Sequence, residues 1–193
     1  MNNFLSNKPL SVLGLSSPSS ELEPFTTIAV GEFKSGQDIY DALVKNERIY
    51  INPLAKKIML NMPISSSKRS LTLAKGTLHS LGLKCADHNI FEMSAHNLDF
   101  RQVFAQARKV GLELCPPEVG PILRIAYQNQ PDIEYLTIAM EPYIDEDWHS
   151  GNIHGHPVVF ALSGDYEEKK PLLLTLDYNF VWYTRTEWIF VKP

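Results

Sequence analysis

Pro121-Ile122-Leu123-Arg124-Ile125-Ala126-Tyr127 is the stretch on which the reading of the fold turns. Before it, apolar residues recur at helical intervals; after it, they come in short alternating runs separated by Gly-, Asp- and Lys-containing turns. Taken as the first strand of the second regime, residues 122–127 pair with a strand at 135–141 through Gln128-Asn129-Gln130-Pro131-Asp132. Strands at 157–162, 172–177 and 187–191 follow. Connections this short imply antiparallel neighbours, since a parallel crossover needs a dozen or more residues. The expectation is an α+β fold with N-terminal helices packed on a C-terminal four- to five-stranded antiparallel sheet.

Upstream, Asn97 is placed to cap a helix over 98–110. Phe100, Val103, Phe104, Ala107 and Val110 form its apolar stripe, and Arg108 and Lys109 complement the negative end of its dipole. Gly111 can take the left-handed exit conformation. Asn52 and Pro53 open another helix, with Leu54, Ile58 and Met62 along one side and Pro63 at its end. Ser35-Gly36-Gln37-Asp38 has the spacing of a capping box ahead of Ile39, Ala42 and Leu43. Short strands are expected at 26–30 and 71–74. Residues 1–24, rich in Ser, Asn and Pro, carry too little apolar surface to offset their ordering entropy and read as a flexible N-terminal arm. A docked extended segment led by Leu10, Val12, Leu13 and Leu15 is the alternative. Residues 25–193 then form a single α+β domain.

The composition suits such a domain: 193 residues, 44% hydrophobic and 21% charged. A formal net charge of -4 argues against nucleic acid or an anionic membrane as partner, because counterion release needs surplus Lys and Arg. The charge is unevenly spread. Residues 32–124 hold 13 Lys+Arg against 9 Asp+Glu, and residues 125–193 hold 4 against 11. Two cysteines, Cys85 and Cys115, are too few for a disulfide framework and imply reduced thiols in the cytoplasm. No apolar run reaches the roughly 20 residues needed to span a bilayer, and Met1–Leu15 lack the pattern of a signal peptide.

The segment Gly111-Leu-Glu-Leu-Cys-Pro-Pro-Glu-Val-Gly-Pro-Ile-Leu-Arg-Ile-Ala-Tyr127, with Ile138-Ala-Met-Glu-Pro142, resembles a stretch of small uncharacterised bacterial proteins. The resemblance implies a bacterial origin and one unit containing the helix end, the Pro-rich turn and the first hairpin. It implies no activity and no catalytic residue.

Four groups of residues carry possible chemistry. Asp145, Asp147, His149, His154 and His156 lie within twelve residues, and imidazole with carboxylate is the donor set of a divalent transition metal such as zinc, nickel or iron. Their spacing matches no zinc-protease or calcium-loop pattern, and a solvated loop between two strands accounts for the same residues. Cys115 stands beside a tight turn, but Pro116 offers no amide hydrogen to an oxyanion and the apolar neighbours would raise the thiol pKa, so a buried structural cysteine is expected. Cys85, near Asp87 and His88, is a weaker form of the same idea. Glu118, Arg124 and Glu141 interrupt apolar segments. If 122–127 and 135–141 pair, Arg124 and Glu141 meet in the sheet, as a structural ion pair or as a ligand-binding pair. Trp182 and Tyr183 lie in an aromatic run whose exposed members would form a recognition surface, whereas Trp188 and Phe190, two apart, are expected in the core.

No phosphate loop, dinucleotide fingerprint, Gly-x-Ser-x-Gly elbow, His-Glu-x-x-His or Cys-x-x-Cys occurs. Residues 46–51 are too long a link for a helix-turn-helix, and Tyr50 and Ile51 read as buried. Two functions remain: a non-enzymatic binding module that contacts a protein partner, and a metal-assisted hydrolase using the 145–156 cluster.

Overall fold

A computed structural model describes Leu22 and residues 24–83, 100–150, 153–164, 170–177 and 187–193. Its elements run β1 (Pro24–Val30), α1 (Gly36–Val44), β2 (Tyr50–Ile51), α2 (Pro53–Asn61), β3 (Arg69–Thr77), α3 (Phe100–Lys109), α4 (Val119–Ala126), β4 (Tyr135–Ile138), β5 (Tyr143–Ser150), β6 (Ile153–Gly164), β7 (Pro171–Asp177) and β8 (Glu187–Lys192). No helix among the described residues is long and apolar enough to cross a membrane.

The three helices expected upstream form for the reasons their sequences suggest. Ser35 Oγ accepts the Asp38 amide at 3.1 Å, while the Asp38 carboxylate takes the amide of Lys34, also at 3.1 Å, one residue earlier than a strict capping box. Asn52 Oδ1 accepts the amides of Leu54 and Ala55, with Pro53 at the first helical position. In α3, Phe100, Val103, Phe104 and Ala107 are buried along one stripe.

The expected layering is overturned. Strands and helices interleave along the chain, and the sheet has eight strands of mixed direction in the order β1-β3-β8-β4-β6-β7-β2, with β5 paired to β6. Residues 122–127 are not a strand. Val119–Ala126 is helical, with Pro121 in its first turn and Val119, Ile122 and Leu123 buried. An apolar run buried on most sides has no alternation to read, and its β-branched residues favour a strand only until tertiary packing decides otherwise. The antiparallel meander is only partly present: β4, β5, β6 and β7 are antiparallel around β6, but β4 pairs parallel with β8, and β2 parallel with β7. Tyr50, expected to be buried, is half exposed on the two-residue strand β2.

Helices cover both faces of the sheet. Trp188 is opposite Gly76 on one side and Thr137 on the other, and Thr137 is opposite Ala161, so these share one face. Phe100 and Phe104 of α3 meet the Trp188 ring edge-on at 5.9 and 6.3 Å, which places α3 there. Phe160 belongs to the opposite face, where α4 crosses so closely that Gly120 lies against its side chain. α1 packs on both α2 and α4, and α2 reaches β7. Trp188 and Phe190 are fully buried and stacked at 6.3 Å. Leu22 packs against the core, while residues 1–21 and the arm expected there lie outside the described residues.

Candidate binding cleft

Gly111 determines where the chain goes after α3. At φ +80° it lets its own amide bond to Arg108 O at 3.1 Å and the Leu112 amide bond to Ala107 O at 3.0 Å, the paired bonds that close a helix C-terminus. The reversed chain then lies beside the far end of β8. Glu113 and Val191 exchange both backbone hydrogen bonds, at 2.9 and 3.0 Å, and the Cys115 amide donates to Ala139 O at 2.7 Å. Pro116 and Pro117 lead into α4.

This route leaves a cleft of about 720 Å³ between the start of β3, the end of β8 and the 111–117 segment. Its floor is apolar, formed by buried Leu71, Leu112, Cys115 and Val191. Its rim is charged. Arg69 is exposed and makes no ion pair among the described residues. Arg108 approaches Glu141 at 3.8 Å with both side chains largely exposed, and Glu113 stands exposed on the same rim. A site of this size with an apolar base and a few charges suits a short amphipathic ligand.

Cys115 lines the cleft as a structural residue. Its Sγ donates to Ile189 O at 3.4 Å, and burial pushes the thiol far above the ordinary cysteine range. No thiolate nucleophile is offered there near neutral pH.

The trio singled out from the sequence does not assemble. Arg124 sits on α4, fully buried, where Nη1 donates to Gln130 Oε1 at 2.6 Å; Glu141 is exposed at the cleft beside Arg108. The expected cross-strand pair therefore does not form, because the segment carrying Arg124 is helical. Glu118 is also fully buried and accepts the Ser65 amide at 3.1 Å; its Oε2 has no hydrogen-bond partner among the described residues. Trp182 and Tyr183 lie outside the described residues. So do the side chains of Asp145, Asp147, His149, His154 and His156, although their backbone belongs to the β5–β6 hairpin rather than to a loop. Among the described residues, no three His, Cys, Asp or Glu side chains converge on a point that could hold a metal.

A second polar cluster, not foreseen, lies at the other end of β3. Lys75 Nζ contacts Glu134 at 2.8 Å and Glu187 at 3.4 Å. Desolvation alone would lower the Lys75 pKa, but the two carboxylates outweigh it and the net shift is upward. Burial lowers Arg124 to about 10, against the pull of Tyr127 and Glu134, and leaves it a cation at neutral pH. Gln130 ties the cluster to the sheet by donating to Glu134 O and Leu162 O. Two cations face two carboxylates here, which makes the group a self-neutralising joint between α4, β3 and β8. The sequence signal for it was Lys75, the one charged residue in the run from Leu71 to Gly76. For the cleft, the signal was Glu113 between two leucines directly after the helix exit.

No family model matches the chain, and no curated protein or solved structure shows significant similarity to it.

Proposed function

We propose that the protein is a non-enzymatic binding module of the bacterial cytosol, whose cleft takes an extended peptide segment carrying an aliphatic and an acidic side chain. The observation that carries this reading is the pairing of the apolar floor with a guanidinium, Arg69, that has no ion-pair partner among the described residues. An aliphatic side chain gains about 25 cal/mol for each Å² it buries on such a floor. Arg69 and Arg108 supply the planar donors that suit a carboxylate. Glu141 is a weak competitor, since exposed ion pairs contribute only about 0–1 kcal/mol. The buried free thiol of Cys115 supports a reducing compartment and a site that binds without covalent chemistry. Eight of the thirteen lining residues belong to the stretches 111–127 and 138–142 that resemble bacterial proteins, which is the support for a bacterial setting.

The test is selection of a random peptide display library on the untagged full chain, with counter-selection on R69E/R108E. Enrichment of peptides with an acidic residue next to Leu, Ile or Val, lost on the double variant, is the expected result. Absence of enrichment, or the same peptides on both proteins, overturns the proposal.

A further inference from the structure

Three of the chain's six histidines fall in the β5–β6 hairpin, and the register of the ladder sets them in pairs. His149 lies opposite His154, and Asp145 lies opposite His156. Between these pairs the register shifts, with residues 146–148 set against Gly155, whose φ is +74°. A bulge of this kind draws two separated ladder positions closer along one strand than plain extension would.

Directly opposed positions in an antiparallel ladder have Cβ atoms about 4.5–5.5 Å apart. That separation lets two imidazoles share one ion at the roughly 2.0–2.1 Å of a zinc–nitrogen bond. A histidine–carboxylate pair at the next paired ladder position brings the residue types placed together on this ribbon to three histidines and one aspartate, a chemistry that favours zinc, nickel or copper over the all-oxygen preference of calcium and magnesium.

We propose that the β5–β6 hairpin binds one divalent transition-metal ion, on the cross-strand juxtaposition of His149 with His154 and of Asp145 with His156. The ion acts as a staple. Among the described residues β5 pairs only with β6, and a two-stranded ribbon by itself is marginally stable in water. A metal that binds only the paired hairpin adds its binding free energy to the pairing. This site is independent of the cleft and of the peptide-binding proposal.

Zinc chloride is titrated into the untagged full chain, followed by calorimetry, elemental analysis after dialysis, and amide NMR. One equivalent of zinc is expected, with chemical-shift changes and slowed hydrogen exchange centred on residues 143–158. His149→Gln and His154→Gln should each weaken zinc binding more than about tenfold, the lower end of what loss of even a supporting group costs a metal site, while His79→Gln binds as wild type does. Failure to retain zinc overturns the proposal, as do shifts centred elsewhere in the chain. Wild-type zinc affinity in both hairpin variants, or the same shifts with calcium, overturns it as well. The amide map of the wild-type chain reads the site without any substitution, so a variant that misfolds does not decide the matter.

Discussion

Tyr135 opens β4 and gives the cleanest handle on the packing of the sheet, because burial alone pushes its phenol from the ordinary 10 up to about 12. The folded protein thus keeps this proton to higher pH than the unfolded chain does. Stability from this group is complete below about pH 10 and is lost as pH rises through about 12. At pH 11 the unfolded phenol is about ten-elevenths ionised and the folded one about one-eleventh, so the wild type has lost about 1.4 kcal/mol, approaching about 2.7 kcal/mol above pH 12. Tyr135→Phe keeps the ring and removes the titration. Urea unfolding of both proteins at pH 8 and pH 11 reads the difference directly, since Lys75, Tyr127 and the other alkaline groups are common to the two. The variant should gain about 1.4 kcal/mol on the wild type between the two pH values. A constant gap would refute the inference that Tyr135 ionises only at the expense of the fold.

Three further outcomes follow from named contacts. Gln130→Leu strips the Arg124 guanidinium of its 2.6 Å acceptor and two carbonyls of their donor, and should cost about 1–3 kcal/mol in denaturant unfolding; a loss under about 0.5 kcal/mol would mean the network is slack. Gly120→Ala sets a new Cβ at 2.7 Å from Phe160 Cβ and at 2.8 and 2.9 Å from its Cγ and Cδ2, so about 1–3 kcal/mol of overpacking is expected, and combining it with Phe160→Ala, which removes the two ring contacts, should cost less than the sum of the two. Native Cys115 should resist iodoacetamide at pH 8 and react in urea, as peptide mass mapping can follow; alkylation at the same rate in both states would contradict the buried, protonated thiol.

Local chemistry was legible and long-range partnership was not. Ser35, Asn52 with Pro53, and Gly111 each act through backbone groups within a few residues, so the helix boundaries they set could be read directly. β6 and β7 are legible as strands because each is a short apolar run bounded by Gly, Asp and Lys, although residues 158–162 of β6 are all buried. α4 reads as a strand because its residues are buried on most sides, leaving no polar face to report the period; the Pro at its third position is the one contrary sign. β5 reads as a solvated loop because its Asp-Glu-Asp run looks like surface, which an edge strand also is. The cleft escaped for a different reason. Arg69 and Glu113 are 44 residues apart and line one cleft only because β3, through Leu73, and Glu113 both pair with Val191 of β8, a relation no local pattern encodes.

The position of β8 has a bearing on how the chain is made. Glu187–Lys192 slots between β3 and β4, so each of those strands presents a bare edge until residues 187–192 have emerged from the ribosome. Such late, distant closure slows folding, and in the interval the open strands are templates for pairing with the wrong chain. Synthesis in the presence of a holdase chaperone should therefore raise the soluble yield, and a nascent chain stalled before residue 187 should be far more sensitive to protease than the released protein.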